Sequence, residues 1–169
     1  MTYIGSSAFA NCTALTDVTF NTSNYTMTVG EDAYFGSDAI SRVLVKNLDA
    51  WVSINFLNPA ANPASIAKHL YGADGSEIVD AVVPEGAIYV NNNVFYNCAS
   101  IKSITLPTTI QFVNDNIIYG CTSLTKMICN ATDVPMFLGV LDPSVMNDVF
   151  EATTLYVPAA SVNEYKADG

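Results

Sequence analysis

VNNNVFYNCASIKSITL at 90–106 and VNDNIIYGCTSLTKMIC at 113–129 align without a gap. Two more copies of the same seventeen-residue pattern stand at 4–20 (IGSSAFANCTALTDVTF) and 29–45 (VGEDAYFGSDAISRVLV). The last two copies begin 113 − 90 = 23 residues apart and the first two 29 − 4 = 25 apart. A chain that repeats itself at this spacing builds a solenoid, because one short unit cannot bury its own apolar face and must stack on its neighbours.

Each copy ends in the same apolar spacing: Leu15/Val18/Phe20, Ile40/Val43/Val45, Ile101/Ile104/Leu106 and Leu124/Met127/Cys129. The last two positions of each set are two apart, which is one face of a strand. Weaker versions stand at Ile78/Ala81/Val83 before Pro84 and at Ala152/Leu155/Val157 before Pro158. The first of these precedes Ile101/Ile104/Leu106 by 23 residues and so keeps the register. The reading is a mainly β solenoid of leucine-rich-repeat type, with about six parallel strands.

If Val18 and Phe20 point inward, Asp17 and Thr19 point outward. Carried along the stack, one outward row is Asp17, Arg42, Asp80, Ser103, Lys126 and Thr154, and the next is Thr19, Leu44, Val82, Thr105, Ile128 and Tyr156. The second row is more apolar than a solvated strand face requires. Arg42, Leu44, Asp80, Val82, Lys126, Ile128 and Tyr156 are therefore the candidate partner-binding residues. β-branched residues also suit any strand, so an ordinary sheet face is the competing reading.

The 169 residues are 50% hydrophobic and 13% charged, enough for one sizeable core, and we read one domain over 1–169. The net charge of −10 disfavours nucleic acid and anionic lipid surfaces, and the six Lys and Arg residues form no cluster. Cys12, Cys98 and Cys121 share one slot of the repeat, filled by Ser37 in another copy, while Cys129 replaces an inward strand residue. A slot that also takes Ser is a packing position, so four free, largely buried thiols are expected, without zinc or disulfides. His69, the single histidine, has no motif that would pair it with a nucleophile. Glu31-Asp32 and Asp74/Glu77/Asp80 read as solvated turns, and no calcium loop or glycine-rich phosphate loop is present. The Asn-x-Ser/Thr triplets at Asn11, Asn21, Asn24 and Asn130 are turn residues in the same sense. No cofactor, metal or catalytic residue is expected, and the chain is not read as an enzyme.

Between Ile40 and Ile78 lie 38 residues instead of about 23, so 46–77 reads as an insertion that leaves the stack after Val45 and returns by Ile78. Within it, Trp51–Phe56 resembles a strand that packs against the stack. Asn58-Pro59 and Asn62-Pro63 are loop signals, and His69–Ile78 is a hairpin turning at Asp74-Gly75. At the C-terminal end, Ser161 and Glu164 have capping-box spacing and predict a short helix over Val162–Ala167. Ile4 already lies inside a repeat, which suggests a piece of a longer protein; no signal peptide and no membrane-spanning run is seen.

The pattern A-F-x-x-C-x-x-L-x-x-I-x-I-P is best preserved from Val94-Phe95 through Cys98, Ile101, Ile104, Leu106 and Pro107. With Trp51, Asn62-Pro63, His69-Leu70-Tyr71 and the ending LYVPAASVNEYKADG at 155–169, it resembles the BspA-like leucine-rich-repeat family of bacterial surface proteins. Ser37 in a Cys slot and Ile117-Ile118 in place of Ala-Phe depart from it. The resemblance implies an extracellular or cell-surface adhesion module whose partners are host, matrix or other surface proteins. Two other readings remain open: a glycan-binding module, with Tyr156, Trp51 and Tyr71 as candidate sugar platforms, and a spacer presenting another domain.

Overall fold

The computed structural model describes residues 1–23, 25–114, 116–138, 149 and 152–167. Asn24, Asp115 and the terminal Asp168-Gly169 named above lie outside the described residues. Among the described residues, six rungs of the solenoid carry two strands each, where the sequence pattern shows only one, and the strand Asp80–Val82 stands without a short partner. The short strands are β1 (Tyr3–Ile4), β3 (Thr28–Val29), β5 (Asn55–Phe56), β8 (Tyr89–Val90), β10 (Phe112–Asn114) and β12 (Met136–Leu138). The second set is β2 (Asp17–Phe20), β4 (Arg42–Val45), β6 (Leu70–Tyr71), β7 (Asp80–Val82), β9 (Ser103–Leu106), β11 (Lys126–Cys129) and β13 (Thr154–Tyr156). The first set forms the parallel sheets β1-β3-β5 and β8-β10-β12, and the second forms β2-β4-β6 and β7-β9-β11-β13.

The core lies between these two ladders. The short strands contribute Ile4, Val29, Phe56, Val90 and Val113, and the longer ones contribute Phe20, Val43, Val45, Ile104, Leu106 and Cys129. All belong to one continuous buried cluster. A strand with one inward residue offers no alternation to read, which is why the first ladder is invisible to pattern analysis.

In four turns the loop between the two strands passes twice through left-handed backbone, four residues apart: Ser7 and Asn11, Asp32 and Gly36, Asn93 and Asn97, Asn116 and Gly120. Asn, Asp and Gly tolerate this conformation best, so the recurrent polar residues in these slots are backbone requirements. The second slot alternates Asn with Gly for a packing reason. A Cβ on Gly36 would stand 2.5 Å from Asn11 Oδ1, and one on Gly120 would stand 2.6 Å from Asn97 Oδ1 and 3.0 Å from Asn97 Cα. Each Asn carboxamide fills the space its stacked glycine leaves open. Gly120→Ala combines strain at positive φ with this collision and is expected to cost about 1–3 kcal/mol in urea unfolding. Gly5→Ala, where an added Cβ meets nothing within 4 Å, is the matched control and should fall within about 0.5 kcal/mol of the parent. Equal effects at the two sites would contradict this account.

Residues 46–77 do not leave the stack; they form its third turn. β5 pairs with β3 and β6 pairs with β4, both in parallel, so both ladders run through the segment. The extra length is spent on two five-residue helices, α1 (Leu48–Val52) and α2 (Pro63–Ala67), with a 3-10 turn over Pro59–Ala61. Trp51 is therefore helical, and only Asn55–Phe56 of the expected Trp51–Phe56 strand is extended. The cause is local: Asn47 caps the backbone N–H groups of Asp49 and Ala50, and Asp49 stands in the first turn. The hairpin at 70–78 is present, closed by Gly72 N–H to Ser76 O and Ile78 N–H to Leu70 O, but its first arm is also the rung β6. Trp51 and Phe56 are fully buried in the common core.

The first ladder has a seam between β5 and β8. Side-chain amides bridge it: Asn91 Nδ2 donates to Ser53 O, Asn93 Nδ2 to Phe56 O and Asn97 Nδ2 to Ser65 O. From the other side Asn62 Nδ2 and Trp51 Nε1 both donate to Val94 O. At the C-terminal end, helix α3 has the expected bounds, Val162–Ala167, and directly follows a 3-10 turn over Ala159–Ser161, so Ser161 is the residue immediately before the helix. Tyr165 of α3 donates its hydroxyl towards Cys129 Sγ and Ala131 O, which holds the helix against the last long strands.

Candidate interaction surfaces

The outward rows follow directly from parallel pairing. Asp80, Ser103, Lys126 and Thr154 are in register across β7, β9, β11 and β13, and so are Val82, Thr105, Ile128 and Tyr156. Asp17 and Arg42 pair across β2 and β4, as do Thr19 and Leu44. Of the seven candidate residues, Asp80, Val82, Lys126, Ile128 and Tyr156 share the four-stranded sheet, while Arg42 and Leu44 lie in the neighbouring three-stranded one. Val82 is 57% exposed and Tyr156 51%, whereas Leu44 and Ile128 are half-buried.

The second row has one member the sequence reading placed elsewhere. Tyr71 is the register partner of Leu44, and its ring lies 5.3 Å from the Arg42 guanidinium. The same arrangement recurs one sheet on, where Lys126 Nζ lies 5.2 Å from the Tyr156 ring. In both cases a cation on one rung covers the tyrosine of the next. Such contacts contribute about 0.5–1 kcal/mol at exposed sites, and they hold each aromatic ring in place on the face. Ser103 donates to Asp80 within the polar row. Tyr71 was obscured because its place in the hairpin is also its place in the ladder.

A groove lies on the outer side of the first ladder. It has a volume of about 390 Å³ and crosses the seam between β5 and β8, with Tyr25, Asn55, Tyr89, Asn91, Phe112 and Asn114 among its walls. The hydrogen bond between the Tyr25 hydroxyl and the Asp49 carboxylate, and then that carboxylate's charge, raise the phenol's pKa above its ordinary value. Tyr89 and Phe112 are register partners, and Asn114 Nδ2 donates to Asn91 Oδ1 at 2.9 Å. Pattern analysis singled out none of these residues, because the short strands carry no periodic signal.

The thiol slot has a bonding role as well as a packing one. Ser37 Oγ donates to Phe9 O at 2.6 Å and accepts from Cys12 N–H, and Cys121 Sγ approaches Phe95 O at 3.1 Å. Phe9 and Phe95 each stand three residues before the slot of the preceding turn, so Ser and Cys donate to equivalent carbonyls. All four thiols are free; Cys98, Cys121 and Cys129 are buried and Cys12 is half-buried. Burial raises the Cys121 thiol to about 12 and pushes Cys98 well above its ordinary value, which leaves neither as a thiolate at neutral pH. His69 Nδ1 meets Glu77 Oε1 at 2.6 Å across the hairpin, and this bond holds the Glu77 carboxyl below its usual range. Of the three aromatic residues proposed as sugar platforms, Trp51 is corrected: it is wholly enclosed between the rungs and offers no face to a ligand.

A family model described as BspA type leucine rich repeat region matches residues 1–57 and 65–135, in six copies. The internal stretch it passes over, 58–64, is far shorter than the insertion read from the spacing, which agrees with 46–77 forming a turn of the stack. No curated protein matches the chain. Among the described residues, no helix is long and apolar enough to cross a membrane, and no group of three or more His, Cys, Asp and Glu is placed to hold a metal ion.

Proposed function

The chain belongs to the BspA type leucine-rich-repeat family, and on that premise we propose that it is a non-enzymatic interaction module displayed outside the cell or on its surface. Its partners are proteins of a host, a matrix or the same surface, and they dock on the outer face of the longer-strand ladder. Repeat solenoids of this kind are scaffolds for protein contact, binding through a rigid extended surface. The observation that supports this face is the aligned row Val82, Thr105, Ile128 and Tyr156, apolar but for one threonine and flanked by Asp80, Ser103 and Lys126. An exposed aromatic ring beside aliphatic neighbours and rimmed by polar groups has the composition of a contact hot spot.

The test replaces Val82, Ile128 and Tyr156 together with serine and measures affinity for a protein isolated on the immobilised parent chain. If Tyr156 is an anchor, binding should weaken by about 2 kcal/mol or more, roughly thirtyfold. Circular dichroism of the variant should match the parent, because the three side chains stand outside the core. Unchanged affinity in a natively folded variant would move the docking face elsewhere.

A further inference from the structure

The groove over the β5–β8 seam has a chemistry distinct from the proposed docking face. Its walls come from successive turns and, among the described residues, include no charged one. Tyr25 and Tyr89 present exposed rings, and Asn55, Asn91 and Asn114 present carboxamides. A phosphorylated or carboxylated ligand would need a cation here and would meet a chain of net charge −10. A cationic ligand would need a carboxylate free to receive it, and Asp49, the acid beside the rim, is engaged by Tyr25. A purely apolar ligand would strip water from three amides and return no hydrogen bonds.

The amides are already partly committed, and the commitment is directional. Asn114 Nδ2 donates to Asn91 Oδ1, and Asn91 Nδ2 donates to Ser53 O. The relay ends in Asn114 Oδ1 as an acceptor. Asn55 accepts at Oδ1 from Asn92 Nδ2 at 3.5 Å, which leaves its own Nδ2 as a donor. A hydroxyl both donates and accepts through one atom, so it can use the N–H and C=O positions that these amides have left over. Exposed tyrosine rings suit the C–H faces of a sugar ring, since the ring face carries negative charge density. The volume, about 390 Å³, lies at the lower end of the range for small-molecule sites.

We propose that this groove is a subsite for a neutral oligosaccharide laid across the rungs, stacked on Tyr25 and Tyr89 and hydrogen-bonded to Asn55 and Asn114. It lies on the ladder opposite the proposed protein-docking face and uses none of its residues, so the two readings stand or fall separately. The experiment is a nitrogen-15 amide NMR titration of the full chain with cellohexaose, maltohexaose, mannohexaose and chitotetraose, and in parallel with a pool of uncharged decapeptides. At least one sugar should shift amides in 25–28, 53–55, 89–91 and 112–114. Tyr25→Ala with Tyr89→Ala should weaken that binding about tenfold or more while the remaining spectrum stays native. Absence of shifts with all four sugars, shifts that map elsewhere, full affinity in the double variant, or preference for the peptide pool would each overturn the assignment.

Discussion

Trp51→Ala is expected to destabilise the fold by about 3–5 kcal/mol, more than any other single truncation in the stack. The indole is fully buried, with the rings of Phe20 and Phe56 each within contact: centroids at 5.0 Å from Phe20, edge-on, and 5.0 Å from Phe56. Phe20 comes from the second ladder, Phe56 from the first, and Trp51 from the helix between β4 and β5. The indole N–H crosses to the next turn and donates to Val94 O at 3.1 Å. Alanine would leave a void where the two ladders and two successive turns meet. Because solenoid stability resides in contacts between adjacent turns, the unfolding transition should also broaden, as the turns before the seam uncouple from those after it. Trp51→Phe separates volume from hydrogen bonding. It keeps most of the aromatic packing, and Val94 O retains a partner in Asn62 Nδ2 at 3.3 Å, so its cost should be only about 1–2 kcal/mol. Urea unfolding followed by far-ultraviolet circular dichroism reads both variants. A Trp51→Ala protein within about 1 kcal/mol of the parent would show that the site collapses around the void and is no keystone.

The register of the long strands was legible residue by residue. Inward positions two apart force the residues between them outward, so the pairings Asp17 with Arg42, Thr19 with Leu44 and Lys126 with Thr154 follow from alternation alone. The outward band was legible for the same reason. What escaped was structure that carries no period. The first ladder contributes one inward residue per rung, and the groove on its outer side is built from tyrosines and asparagines that also serve as ordinary turn residues. The third turn was misread because its rung and its hairpin share Leu70 and Tyr71, so a hairpin signal hid a parallel strand. Trp51 is helical and not extended because Asn47 and Asp49 before it are helix-start residues at helix-start spacing.

The same blindness covers Asn62, whose loss should cost about 2–4 kcal/mol by two routes that add. Asn62-Pro63 reads as a loop dipeptide, but the structure gives each half of the Asn62 amide separate work. Its Oδ1 accepts the Ala64 N–H at 2.8 Å and caps α2, with Pro63 at the first helical position where its missing N–H does no harm. Its Nδ2 donates to Asn93 O at 2.6 Å and Val94 O at 3.3 Å in the following turn. Four residues earlier, Asn58 Oδ1 receives the Asp32 N–H and its Nδ2 returns a bond to Asp32 Oδ1, in the preceding turn. The stretch 58–64, where the repeat pattern lapses, thus staples the third turn to both neighbours. Truncation to alanine removes a cap, worth about 0.5–2 kcal/mol, and takes one donor from each of two buried carbonyls, worth about 0.5–1.5 kcal/mol apiece, since Asn93 O keeps the Tyr96 N–H and Val94 O keeps Trp51 Nε1. Asn62→Asp distinguishes the two routes. Aspartate caps a helix as well as asparagine does, so a capping role alone predicts no loss. A carboxylate, however, turns acceptor oxygens towards the Asn93 and Val94 carbonyls in a wholly buried site. We expect Asn62→Asp to be at least as damaging as Asn62→Ala at pH 7. It should recover in part in mild acid, where the protonated acid regains one donor; burial among carbonyls raises the folded-state pKa above the unfolded value, so the destabilisation develops as pH rises through that interval. Full stability of Asn62→Asp at neutral pH would mean that Asn62 only starts a helix, and that the seam is held by Trp51 and the asparagines facing it.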